Sequence, residues 1–269
     1  MKRVKRLLKP LAVLGLLAAV FVSVLEAPQV QRAYVRGKVA AAVFEVRGQK
    51  DGGGGTGFQV EGPSGTSYIV TNSHVCEFAQ SAAKDQNFVL VKQTDHWLKR
   101  RVLEVDGEAD LCLLEGAPNI AGLKLGGDVK IGDYVAAVGH PHLGPTTMSE
   151  GEVVARTDTL IQHHIMKSGD AKLDRFLGAS DEPCDQPKNE IVKKMLYLFG
   201  FIPLGEAPIC LVREKEAVQT NVTIFGGNSG SPLVDSWGRV VGVVFAADGS
   251  TNWGFAVNIN HLKHLLRDY

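Results

Sequence analysis

Short apolar runs, broken at regular intervals by Gly, Asp, Asn and Pro, constrain this chain more than any other feature. They fall at residues 39–46, 57–60, 68–71, 88–91, 111–114, 134–138, 150–154, 232–234, 239–245 and 253–257. Runs of this length between turn signals predict strands, and their even spacing argues for barrels or a sandwich rather than βαβ units. Gly is abundant, at 30 of 269 residues, which suits a turn-rich β protein. The last stretch differs. Asn260 can cap a short helix in which Leu262, Leu265 and Leu266 share one face.

The formal net charge is zero, so no basic excess points to nucleic acid and no acidic excess to a solvating tail. The amino end is uneven. Lys2, Arg3, Lys5, Arg6 and Lys9 precede an uncharged apolar run over residues 11–25. A basic flank before a hydrophobic segment is the pattern of an export signal, and the flank stays cytoplasmic while the rest is translocated. Leu25, two places before Ala27, makes a weak cleavage site. Residues 1–27 are thus expected as an uncleaved signal anchor ahead of a cleaved signal peptide, with residues 28–36 as a linker. The cysteines are Cys76, Cys112, Cys184 and Cys210, an even count compatible with disulfides in an exported protein. Cys184 and Cys210 bracket one unusual segment and are the first pair to consider. No Cys-x-x-Cys or His-x-x-x-His spacing supports a metal site, and the adjacent His163 and His164 are weak evidence for one.

That unusual segment, residues 157–215, resists the strand pattern. It is charged, contains Gly and Pro, and includes a stretch at 191–199 with helical character ending near Gly200. A connection this long serves as a lid, an interaction element or a partly disordered stretch. The Gly-rich run at 52–57 lacks the Lys-Ser/Thr of a phosphate-binding loop and reads as a hairpin tip entering a strand.

The stretch Gly226-Gly-Asn-Ser229-Gly-Ser-Pro232 carries the chemistry. A serine between glycines can sit on a tight turn with its hydroxyl exposed and neighbouring N–H groups unpaired, as an oxyanion site needs. Taken alone it is equally a plain hairpin loop, because a serine needs a base and an orienting group to be a nucleophile. His74, where the apolar run at 68–71 ends in a polar turn, supplies an imidazole at a strand end. Asp110, at the start of the run at 111–114, is an acid placed to be partly buried and to hold one His tautomer through Nδ1. Asp106 competes, but reads as a turn residue before Gly107.

These motifs, in the order His, Asp, Ser, resemble those of the trypsin-like (chymotrypsin-fold) serine proteases, closest to the bacterial Htr/Deg branch. The matching stretches are residues 54–58, 69–75, 110–114, 138–141, 219–233 and 253–257, and the likeness runs from about residue 39 to 266 apart from 157–215. The resemblance implies two packed six-stranded β-barrels with a short C-terminal helix, residues 37–269 forming the protease domain with 157–215 inserted. It implies Ser229 as nucleophile, His74 as base, Asp110 as orienting acid, and the N–H groups of Gly227 and Ser229 as the oxyanion hole. No cofactor is implied.

The departures are also informative. Ser231 replaces the second glycine that commonly follows the nucleophile. Asn228 stands where zymogen-activated relatives carry an aspartate, and no Ile-Val-Gly-Gly start is present, which argues against activation by an ion pair with a new amino terminus and for control through loop order. The chain shows no PDZ domain. The primary pocket would be lined by Thr223, Ala247 and Gly254, none charged, so a small or medium apolar residue is expected before the scissile bond. The expectation is an exported or membrane-anchored serine endopeptidase acting on proteins or peptides. Its alternative is a silent protease fold that binds proteins through its groove.

Overall fold

The computed structural model describes residues 28–48, 52–83, 87–157, 162–165, 209–212, 217–248 and 253–269. The first barrel is built from β1 (Val43–Arg47), β2 (Gly54–Glu61), β3 (Ser67–Thr71), β4 (Phe88–Gln93), β5 (His96–Asp106) and β6 (Leu111–Glu115). It closes in the order β1-β2-β3-β6-β5-β4, every pair antiparallel. The second uses β7 (Tyr134–Gly139), β8 (Thr147–Thr157), β11 (Ala217–Thr220), β12 (Pro232–Val234), β13 (Val240–Asp248) and β14 (Trp253–Asn258). Its order is β11-β14-β13-β12-β7-β8. The fold is the two-barrel chymotrypsin-like architecture, and closure leaves neither sheet a free edge.

One apolar cluster spans the junction. Phe58, Val70, Leu111 and Leu113 of the first barrel pack with Val138, Val234, Val243 and Val257 of the second. Each such side chain contributes about 1.5–3 kcal/mol when fully buried, so the barrels are held as one body. The interiors have their own fillings: Ile69, Val75, Val89 and Leu114 in one, Val135, Val218, Leu233 and Val241 in the other. Helix α3 (Ile259–Leu265) follows β14 and buries Ile259, Leu262 and Leu265. Its N-cap is Asn258 rather than Asn260. The Asn258 side chain accepts a hydrogen bond from the Asn260 N–H.

Several elements differ from expectation. Residues 28–36, read as a linker, lie in helix α1 (Pro28–Ala40). Val35 and Val39, one turn apart, are its only deeply buried side chains among those described, and they dock into the core at the barrel junction. Polar residues around this two-residue stripe hide the helical period. The first residues of the run at 39–46 end that helix, and β1 begins at Val43. Strand β5 is exposed along much of its length and carries Lys99, Arg100 and Arg101, so it lacks the apolar signature of a strand. Within 157–215, β9 (Gln162–Ile165) and β10 (Ile209–Val212) form a two-stranded sheet in which His164 pairs with Cys210. The expected helix at 191–199 and Cys184 lie outside the described residues, as do residues 1–27. Among the described residues no helix is long and apolar enough to cross a membrane.

Candidate active site

His74 does not sit at a bare strand end. Strand β3 stops at Thr71, Asn72 follows, and helix α2 (Ser73–Ala83) begins at once, so His74 is in its first turn. A first turn has N–H groups without partners inside the helix. The Asp110 carboxylate answers them. Its Oδ1 accepts from the His74 N–H at 3.1 Å and from Ser73 Oγ at 2.9 Å, while the Asp110 carbonyl accepts from Asn72 Nδ2 at 2.9 Å. The same carboxylate lies 3.0 and 2.9 Å from His74 Nδ1. Asp110 is thus an acceptor at the positive end of a helix and a partner of the imidazole at once. It is 3 % exposed and holds a left-handed φ of 50°, a conformation that Asp tolerates and that turns its side chain toward α2. Asp106 does cap a turn, accepting from the Ala109 N–H at 2.8 Å.

Desolvation pulls the His74 pKa down, but the hydrogen bond and charge of Asp110, aided by Glu77, outweigh it and hold it above the ordinary 6.5. With Nδ1–H donated to Asp110, Nε2 is the acceptor end of the neutral ring.

A disulfide supports this pair. Cys76 and Cys112 are bonded, both fully buried, and each lies two residues after a site residue, His74 and Asp110 respectively. The bond therefore staples α2 to β6 beside the His–Asp contact. Sequence reasoning missed it. The signal was the equal offset of the two cysteines from their neighbours. The pairing of Cys184 with Cys210 falls partly outside the described residues.

Ser229 lies in the second barrel, at the end of the turn Phe225-Gly-Gly-Asn228. The Asn228 N–H donates to the Phe225 carbonyl at 3.0 Å, and Gly227 has φ of 92°, which only glycine adopts freely. A Cβ at Gly227 would lie 2.5 Å from the His140 carbonyl oxygen. Among the described residues the N–H groups of Gly227 and Ser229 have no hydrogen-bond partner. The Ser229 carbonyl accepts from the Thr56 N–H at 2.7 Å, which draws the serine onto β2. Gly55 sits between the two halves: a Cβ there would meet the Ser229 carbonyl oxygen at 2.7 Å and Val75, next to His74, at 2.8 Å. Ser229 Oγ donates weakly to the Phe245 carbonyl at 3.5 Å, and no hydrogen bond joins it to His74. His74 and Asp110 are paired; Ser229 is bonded to neither, and its carbonyl meets their half of the site across Gly55, on whose other side lies Val75.

Ser231 fits because its neighbour gives way. It is fully buried with Oγ unpaired, and opposite it stands Gly139, where a Cβ would lie 2.0 Å from that oxygen.

The three residues read as pocket lining are close but differently disposed. Ala247 and Gly254 are cross-strand partners of β13 and β14, whereas Thr223 is exposed in the loop after β11. A Cβ at Gly254 would meet Ile224 Cγ1 at 2.7 Å, so Ile224, which the sequence did not single out, packs directly over this glycine. Among the described residues no group of three or more His, Cys, Asp or Glu is placed to hold a metal ion.

Two antiparallel barrels meeting at such a site define a chymotrypsin-like protein. Residues 55–181 match the family model of the trypsin-like peptidase domain. A protein of Buchnera aphidicola subsp. Acyrthosiphon pisum named "Probable serine protease do-like" is 25% identical over 207 residues, covering 74% of this chain and 32% of that protein. One from Buchnera aphidicola subsp. Schizaphis graminum, "Probable periplasmic serine endoprotease DegP-like", is 24% identical over 208 residues with the same coverage. The chain thus spans about a third of the length of these curated relatives. The crystal structure of Deg5 superposes with a TM-score of 0.59 at 19% identity, covering 89% of this chain and 93% of Deg5, a likeness of fold. Over these stretches the chain is similar to the trypsin-like peptidase domain and to proteins named as do-like and DegP-like serine proteases.

Proposed function

We propose that this chain is a serine endopeptidase working through an acyl-enzyme. Ser229 Oγ attacks the scissile carbonyl while His74 Nε2 takes its proton. Asp110 fixes the tautomer and stabilises the imidazolium. The tetrahedral oxyanion is held by the N–H groups of Gly227 and Ser229. His74 then protonates the leaving amine as the C–N bond breaks, and water repeats the sequence to release the acid. A rotation about the Ser229 side chain, away from the Phe245 carbonyl, is the motion this step requires. Catalytic hydrogen bonds are often long in free enzymes and tighten with substrate.

The observation that carries this reading is the conjunction of a helix-capping Asp110–His74 pair with the N–H groups of Gly227 and of Ser229 itself, both without a partner among the described residues. The test is labelling of the folded protein with a fluorophosphonate. Stoichiometric labelling of the wild type and none of Ser229→Ala is expected. Unlabelled, folded wild-type protein would favour the second reading, a silent protease fold that binds proteins through its groove. The Ser229–Phe245 contact is the feature that keeps this second reading in play.

Uncharged Ala247, Gly254, Ile224 and Thr223 support cleavage after small or medium apolar residues. Export is supported by the charge pattern of residues 1–27, by a disulfide of the kind that persists in oxidising compartments, and by the word periplasmic in one relative's name. Residues 1–27 would anchor the domain on the exported side of the membrane, or release it if cleaved. Protein or peptide substrates are the partners this activity requires.

A further inference from the structure

A peptide unit that must point its N–H at a substrate oxygen has to have its orientation imposed, most of all when the residue is glycine. Gly227 has no Cβ to restrict it, so the turn could rotate its peptides at little cost. Its neighbours prevent that. In a trans peptide the C=O and N–H point opposite ways, so fixing one fixes the other. The Gly226 carbonyl accepts from the His142 N–H at 2.5 Å, which sets the Gly227 N–H in the opposite direction. The Gly227 carbonyl accepts from Thr56 Oγ1 at 2.7 Å, which sets the Asn228 N–H back onto Phe225.

Thr56 belongs to β2 of the other barrel and is fully buried. All its polar groups are engaged. Its N–H donates to the Ser229 carbonyl at 2.7 Å, and its carbonyl accepts from Thr71 Oγ1 at 2.7 Å. Its hydroxyl accepts from the His140 N–H at 3.0 Å while donating to the Gly227 carbonyl. One hydroxyl therefore joins the strand beside the nucleophile, the loop after β7 and the turn that bears the unpartnered N–H groups. The task needs a group that donates and accepts at once from a stiff side chain, and a β-branched alcohol supplies both.

We propose that Thr56 is a positioning residue for the oxyanion hole: its hydroxyl holds the Gly227 carbonyl, and so the 227–228 peptide, while His142 holds the 226–227 peptide, and the two together keep the Gly227 N–H in the direction the reaction needs. This rests on the hydrolase reading above. Without the hydroxyl, the half-buried Gly227 carbonyl and His140 N–H both lose this partner. The turn then rearranges to find other partners.

The test follows fluorophosphonate labelling of the full chain under saturating conditions, separating the maximal rate from the half-saturating concentration. Oxyanion donors act on the transition state, so Thr56→Val should lower the maximal labelling rate by about 10²-fold, the lower range for losing one donor. The half-saturating concentration and the final labelling stoichiometry should stay the same. Thr56→Ser, which keeps the hydroxyl, should recover most of the rate. If the valine variant does not fold, Thr56→Ala removes the same hydroxyl without a new methyl against Gly139. A merely structural role predicts a lower stoichiometry at unchanged rate, and that result would overturn the proposal. So would a valine variant as fast as wild type, or a serine variant as slow as valine. Wild-type protein that fails to label at Ser229 removes the hydrolase reading itself, and the inference with it. A reactive wild type with an equally reactive Thr56→Val removes the inference alone.

Discussion

The two halves of the site are held in different ways. The His74–Asp110 half lies wholly within the first barrel. Asp110 caps the helix that carries His74, and the Cys76–Cys112 bond ties that helix to the strand after Asp110. The Ser229 half lies on the second barrel, but its turn borrows its supports. Thr56 reaches in from the first barrel, and His142 comes from a loop in which His142 and Leu143 both hold left-handed φ, at 53° and 57°. The His74–Asp110 pair is self-supporting, while the Ser229 turn, proposed to receive the oxyanion, depends on the barrels staying in register. Damage to the first half should be local and chemical. Damage to the second should be conformational.

The largest expected effect tests the first half. Asp110→Asn should lower kcat by about 10⁴-fold through loss of the correct His tautomer, measured on a peptide substrate near pH 8. The pH profile sharpens the point. His74 must be neutral to accept a proton, and Asp110 raises its pKa above 6.5. The acid limb of kcat/KM should therefore lie above 6.5 in the wild type and move to lower pH in Asp110→Asn. A limb that stays in place would show that Asp110 does not govern the imidazole.

The next effect concerns the staple. Replacing Cys76 and Cys112 by Ala should cost about 4 kcal/mol by urea unfolding, as expected for a disulfide closing a loop of roughly this length. The surviving folded protein should retain an intact Ser229 turn. An unchanged unfolding midpoint would mean that packing alone holds α2 to β6.

The smallest effect probes the strained loop of the second half. Leu143→Gly relieves a left-handed conformation but frees the unfolded chain, so it should be neutral or stabilising by up to about 1 kcal/mol. A marked loss of stability would show that the Leu143 side chain, and not its backbone, organises that loop.

The motifs around His74, Asp110 and Ser229 were legible because each joins a polar residue to an apolar strand, a conjunction visible along the chain. Their mutual bonds were not. Asp110 as a helix cap requires knowing that α2 starts at Ser73, and no turn residue beyond Asn72 and Ser73 marks the change from strand to helix. Strand β5 was invisible because charged side chains line a half-exposed ribbon, and α1 because, among its described side chains, only Val35 and Val39 are buried. Thr56 looked like one more small residue in a glycine run. Its function exists only across 171 positions of sequence, where no local pattern can record it.

Gly230 shows what this architecture permits to change. With φ of 84°, it leaves no room even for a methyl group, which would lie 2.0 Å from the Thr56 carbonyl oxygen. The exposed Thr223 faces no such wall. Variation among descendants of this chain, or among engineered versions of it, is therefore channelled outward. The seam between the barrels is closed to novelty, and new substrate preferences must be written on the rim.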